Sequence, residues 1–242
     1  MMASHPLMAK VKDLQGEAAL SRKRGDALRK SKSEGDALAS FREGVASLDR
    51  ALEILQSQTW NRLDQFGHGK PLPEDQLAIA RELVETWGAR GGLLRRQDEA
   101  VEALYSYQEG SHIEELFVPT STYNRTNALK FALLSGQRTL AELWGDIRGL
   151  EQSLAKQLAE HHELGDQGWL WADLADCRAL LGDLDGAERA YQAFIATAET
   201  KAPQTTLDVL RSVAQKLEEQ GDPGAANVRE SVRSLERRLG RR

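Results

Sequence analysis

"WLWADLADCRALLGDLDGAERAYQAF", residues 169–194, decides how this chain is built. The stretch holds two tryptophans, four aspartates ahead of Glu188 and the only cysteine, a composition that would suit a reactive site. Its spacing says otherwise. Trp171, Leu174, Ala175 and Leu181 fall on one face of a helix that ends at Gly182-Asp183, and Ala187, Tyr191 and Phe194 mark one face of the next. Small residues let the two helices approach, and the aromatics fill the space between such pairs. The reading is a helix, a tight turn and a second helix, one unit of a scaffold.

Working outward, the same alternation recurs. Leu38, Phe41, Val45, Leu48, Leu52 and Leu55 form an apolar stripe at steps of three and four, so residues 1–57 read as a long N-terminal helical hairpin with its turn at Gly35-Asp36. "FGHGKPLP" at 66–73 concentrates Gly and Pro and makes 58–72 the candidate linker. Pro73-Glu74-Asp75 then opens a helix, with proline and acids where the first-turn amides are unsatisfied. Helices are expected from there to Arg95 and from Gln97 to Phe117. Thr120 or Ser121 should cap another that runs through Leu134 and stops at Ser135-Gly136. A long helix to His162 follows, then a turn at 163–168.

The 169–194 hairpin resembles the tetratricopeptide repeat, a helical hairpin of about 34 residues, through Trp171, Leu174, Ala175, Gly182, Ala187, Tyr191 and Phe194. A second copy fits "VETWGARGGLLRRQDEAVEALYSY" (84–107), with Gly88 and Ala100 as the small residues, and a third fits "LRSVAQKLEEQGDPGAANVRESV" (210–232), with Gly221 and Ala226. The 87 residues from Ala100 to Ala187 are not a whole number of repeats, so the array is irregular. The fold class expected is all-α, a right-handed αα superhelix of about ten antiparallel helices, with 73–242 as an irregular tetratricopeptide-like (TPR-like) solenoid.

The order of elements over residues 80–225 is similar to the TRAF-binding helical region of mitogen-activated kinase kinase kinases and its bacterial relatives. The likeness centres on "STYNRTNALKFALLSG" (121–136), where Tyr123 precedes an Asn-Ala-x-x-x-x-x-Leu-x-Gly pattern matched by Asn127, Ala128 and Gly136. It implies a regulatory or adaptor module that holds another protein, with the effector on a separate polypeptide.

Composition is that of a folded chain: 40% hydrophobic, 29% charged, net charge -5. That charge offers no global attraction to nucleic acid or anionic lipid, yet both ends are basic. Lys10 to Lys32 carries eight basic and three acidic residues, and Asn227 to Arg242 six arginines against two glutamates. The start, "MMASHPLMAK", lacks the apolar core of a signal peptide, and no stretch approaches the roughly 20 apolar residues of a membrane span. A single cysteine excludes an intrachain disulfide within this sequence. The expected compartment is the cytoplasm.

Chemistry finds little purchase. His161-His162 with Glu160, Glu163 and Asp166 is the most metal-like cluster, but adjacent helical histidines point about 100 degrees apart. Cys177 lies mid-helix with no Lys or His within a turn to lower its pKa, and reads as packing. Asp173 and Asp176 read as surface acids. Gly67-His68-Gly69-Lys70 lacks the upstream glycine and the following Ser or Thr of a phosphate loop. No catalytic residue, metal or cofactor is expected.

Binding is the better prospect. In a TPR-like hairpin the first helix lines the groove, which here selects Trp169, Ala172, Asp176 and Ala179, with Trp169 as the anchor. Tyr123, Asn127 and Lys130 open the corresponding helix of the preceding hairpin, while Arg95 and Arg96, with Arg90 nearby, supply charge for an acidic peptide. The function expected is a non-enzymatic adaptor that binds a protein through a helical groove. One alternative is a nucleic-acid-binding regulator using the basic ends. Another is a non-catalytic subunit of an enzyme complex.

Overall fold

Hydrophobic stripes at helical spacing become helices throughout. The computed structural model describes residues 6–63, 72–160, 167–197 and 202–240. Among them are ten helices and no strand: α1 (Pro6–Lys30), α2 (Glu34–Leu63), α3 (Glu74–Arg95), α4 (Ala100–Phe117), α5 (Tyr123–Leu134), α6 (Leu140–Glu160), α7 (Gln167–Leu181), α8 (Leu184–Thr197), α9 (Ala202–Glu219) and α10 (Ala225–Leu239). α1–α2, α3–α4, α7–α8 and α9–α10 pack as hairpins, and α6 lies against α7. The described residues are all-α, a succession of packed helical hairpins.

One residue in the left-handed region sits at each of five turns: Lys32, Asp98, Gly136, Gly182 and Gly221. Four of these turns close alike. The amide just past the left-handed residue reaches five residues back, as in Ser33 N to Leu28 O (3.0 Å), Glu99 N to Leu94 O (3.1 Å), Asp183 N to Arg178 O (3.0 Å) and Asp222 N to Leu217 O (2.9 Å). The recurrence of this device is the repeat expressed in backbone geometry. It also moves the first turn: Gly35 and Asp36 lie inside α2, because Lys32 reverses the chain and Ser33 precedes the new helix.

Two compact units divide the chain, 1–124 and 125–242. In the first, Val11 and Leu14 of α1 and Ala51, Leu52 and Leu55 of α2 share a core with Leu83, Val84 and Trp87 of α3 and Ile113 of α4. The N-terminal hairpin shares this core and its compact unit with α3 and α4. A smaller cluster joins Ala18, Phe41, Leu48 and Leu93. As for the 58–72 linker, α2 continues to Leu63, and 64–71 fall outside the described residues.

In the second unit, Leu140, Leu143, Ile147, Leu150, Leu154 and Leu158 bury the inner stripe of α6. Each fully buried leucine contributes about 1.5–3 kcal/mol. Ala175 and Ala187 are buried where α7 meets α8, and Tyr191 and Phe194 lie beneath them with almost no exposed surface, as the 169–194 spacing requires. Thr139 and Glu142 form a reciprocal capping box on α6: Thr139 N donates to Glu142 Oε2 (2.7 Å) and Glu142 N to Thr139 Oγ1 (3.3 Å). At α8, Asp183 Oδ1 accepts from Gly186 N at 2.9 Å.

The start of α5 departs from expectation. Neither Thr120 nor Ser121 caps it. Glu114, fully buried on α4, does so through Oε1, which accepts from Asn124 N (3.1 Å), Asn124 Nδ2 (3.0 Å) and Ser121 Oγ (2.7 Å). A carboxylate at a helix N-terminus is favoured by the backbone dipole. Gly110 leaves room for this arrangement, since a Cβ there would meet Asn124 Cγ at 2.5 Å.

Candidate functional site

The expected groove face of α7 splits by burial. Trp169 keeps 40% of its surface exposed, whereas Ala172, Asp176 and Ala179 are buried at 2% or less. Trp169 lies at the start of α7, beyond the tightest part of the hairpin, and its ring rests at 42° to Phe194 of α8 with centroids 5.8 Å apart. One face is thus supported by the core while the remainder meets solvent.

Asp176 faces inward. Its Oδ2 accepts from Lys130 Nζ of α5 at 2.5 Å, and its Oδ1 accepts from Tyr191 Oη of α8 at 2.8 Å. The lysine and aspartate side chains are 7% and 1% exposed. Two residues expected to meet a partner therefore meet each other, and with Tyr191 they tie three helices together. Asn127, one turn before Lys130, is 7% exposed. Asp173 is buried as well, at 5%, and is no surface acid. Cys177 lies beside this network, and burial, then the nearby Asp173 and Asp176, pushes its thiol well above the ordinary value. A thiol so held is a packing group and a poor nucleophile.

In the first unit, Tyr123, Tyr107 and Arg96 come together beside Gly92 of α3. Tyr123 is 40% exposed and meets Tyr107 edge-on, with centroids 6.1 Å apart at 73°. Tyr107 fills the space above Gly91, where an added Cβ would lie 2.7 Å from its ring. Burial and the hydrogen-bonded Tyr123 keep the Tyr107 phenol protonated well above its ordinary range, against the opposing fields of Arg95 and Arg96. Arg96 is anchored: Nε donates to Asp26 Oδ1 and Nη1 to Gly92 O, each at 2.9 Å. Arg90 is fully engaged, with Nε on Asp49 Oδ1 and Nη1 on Ser106 Oγ, each at 2.6 Å. Tyr107, Gly92 and Glu114 escaped the sequence reading. The Gly91-Gly92 pair inside a helix was the available signal.

Among the described residues, no group of three or more His, Cys, Asp or Glu side chains could hold a metal ion. His161, His162 and His68 lie outside them. No described helix is long and apolar enough to cross a membrane. The four described C-terminal arginines all face carboxylates: Arg229 pairs with Glu218, Arg233 and Arg237 with Glu230, and Arg238 with Glu188.

No protein-family model matches the sequence, and comparison with curated proteins finds no relative. Among solved structures, the chain is similar to one from Podosopora anserina described as "kinesin light chain nearly identical TPR-like repeats", at 16% identity and a TM-score of 0.44, over 99% of this chain and 100% of that one. So distant a likeness adds nothing to the helical hairpins already described.

Proposed function

We propose that this chain is a non-enzymatic TPR-type scaffold or adaptor that binds a protein partner through a helical surface anchored by Trp169. The observation that carries the reading is the half-exposed Trp169 ring, braced by Phe194 at the open end of the α7–α8 hairpin. A rigid aromatic with one face held by the core and the other in water loses little entropy when a partner covers it, and such residues dominate binding energy. The resemblance of residues 80–225 to the TRAF-binding helical region points to a signalling or effector protein as the partner.

Affinity purification of the tagged chain from its native extract, with and without nuclease, tests this. One dominant protein retained after nuclease and lost with Trp169→Ala is the expected result. Truncating a central tryptophan should weaken the complex by about 2 kcal/mol or more. Equal recovery with the variant would remove Trp169 from the site.

The nucleic-acid reading keeps one observation in its favour. On α1 and the turn that follows it, Lys10, Arg22, Lys23, Lys30 and Lys32 form no ion pair among the described residues. Recovery that vanishes with nuclease would move the function there.

A further inference from the structure

In the first unit, α1 and α3 are joined at two places and part between them. Toward one end, Lys12 Nζ lies 2.6 Å from Glu82 Oε1, and Gln15 Nε2 donates to Glu82 Oε2 (3.0 Å) and Thr86 Oγ1 (2.9 Å). Toward the other, Arg96 Nε donates to Asp26 Oδ1 (2.9 Å) and Arg29 Nη2 to Arg96 O (2.7 Å). Between these bridges lies a depression of about 180 Å³, bounded by Ala18 and Ala19 of α1, Leu48 of α2, and Ala89 and Leu93 of α3.

Two features of the sequence keep it open. Its side walls are alanines, which reach only a short way from their helices. Leu93 sinks onto α2 rather than filling the space, since a Cβ at Gly44 would meet Leu93 Cδ1 at 2.8 Å. Ala18, Leu48 and Leu93 are at most 3% exposed and belong to the smaller core cluster, while Ala89 stands exposed at the edge. The depression is therefore apolar at its base and open to water at its mouth.

The mouth carries opposite charges on its two sides. Arg22 of α1 lines it, is exposed and forms no ion pair among the described residues. Glu85 lines it from α3, and its contact with Lys12 is a long one, 3.7 Å. Size then selects the occupant. Sites for drug-sized ligands begin near roughly 300 Å³, whereas an apolar cavity of about 150 Å³ takes a single benzene ring. A space of about 180 Å³ suits one side chain of leucine or phenylalanine size.

We propose that this depression docks a linear segment of a partner protein, which inserts one leucine-sized side chain between α1 and α3 and sets an acidic residue on Arg22 and a basic residue on Glu85. Taking the occupant to be a protein segment rests on the adaptor reading; the site itself lies in the first unit and shares no residue with the Trp169 surface. Burial of the apolar side chain supplies most of the affinity, and the two exposed charges set its register.

The test uses the full chain labelled with 13C at its alanine methyls, because Ala18, Ala19 and Ala89 line the space. The probe is a synthetic peptide with a central leucine, glutamate on one side and lysine on the other, titrated to millimolar concentration at low salt. These three methyls should shift saturably. Alanine in place of the peptide leucine should weaken binding about tenfold. Ala89→Leu, which fills the space from its exposed edge, should abolish the response while the melting temperature holds or rises. Arg22→Glu should weaken binding about threefold or more, and a peptide with lysine in place of its glutamate should restore it. Trp169→Ala should leave the response intact. Silent methyls at millimolar peptide, equal binding of the alanine peptide, or an undiminished response in Ala89→Leu would each overturn the site. A duplex oligonucleotide that shifts the same methyls where the peptide does not would assign this face to nucleic acid and overturn it as well. Capture of a protein partner that survives Ala89→Leu while the methyls stay silent would sink this site and leave the adaptor reading standing. Saturable peptide binding here with no partner captured would do the reverse.

Discussion

Lys130 and Asp176 show what a single residue can and cannot announce. In the sequence both look like groups waiting for a partner, charged side chains on helices expected to line a groove. In the fold they lie within 2.5 Å of each other, 46 residues apart along the chain, and the second aspartate oxygen holds Tyr191. No local pattern encodes such a pairing, which is why it was not legible. Removing one member of a buried ion pair strands the other in a medium that cannot solvate it, at a cost of about 3–5 kcal/mol. Lys130→Met should therefore lower the urea midpoint by that equivalent, and adding Asp176→Leu should recover most of the loss. If Lys130→Met instead costs under about 1 kcal/mol and abolishes partner capture, the pair serves binding and not the fold. Trp169 is the contrasting case: its place at the start of the first helix of the hairpin marked it for exposure, and it remains 40% exposed.

Elements were more legible than residues where glycine marked their ends. Gly136, Gly182 and Gly221 each take the left-handed conformation that closes a helix, and the sequence placed helix ends at all three. Lys32 and Asp98 take the same conformation without the residue that advertises it. That is why the first turn was expected at Gly35, three residues late, while the second was bracketed only by its flanking helices. The same contrast sets the energetics. Gly182→Ala forces a side chain into a region costing about 1–2 kcal/mol, and its Cβ would meet Asn227 Nδ2 at 2.8 Å, so the melting temperature should fall. Asp98→Gly relieves an existing strain and should gain a few tenths up to about 1 kcal/mol after the entropy of a freer unfolded chain is counted. Thermal melts of both variants check the pair, and the turn account fails if the two shift in the same direction.

At the scale of the whole molecule, stability in a helical repeat is approximately a sum of local terms, each hairpin answering mainly to its neighbours. The cores described above follow that rule. Val11, Leu52, Leu83 and Ile113 belong to a cluster contained within residues 1–124, and the α6 stripe, Tyr191 and Phe194 belong to 125–242. A lesion in one unit should therefore spread only so far. Hydrogen exchange on Lys130→Met provides the reading, because that change disturbs α5, α7 and α8 together at the Asp176 network. Amides of α7 and α8 should exchange faster by up to the factor corresponding to the stability lost, about 100-fold or more for 3 kcal/mol, while α1 to α3 keep their protection. Uniform loss across all helices would mean that the chain unfolds as one cooperative body, and that the repeat geometry has not conferred the independence of its parts.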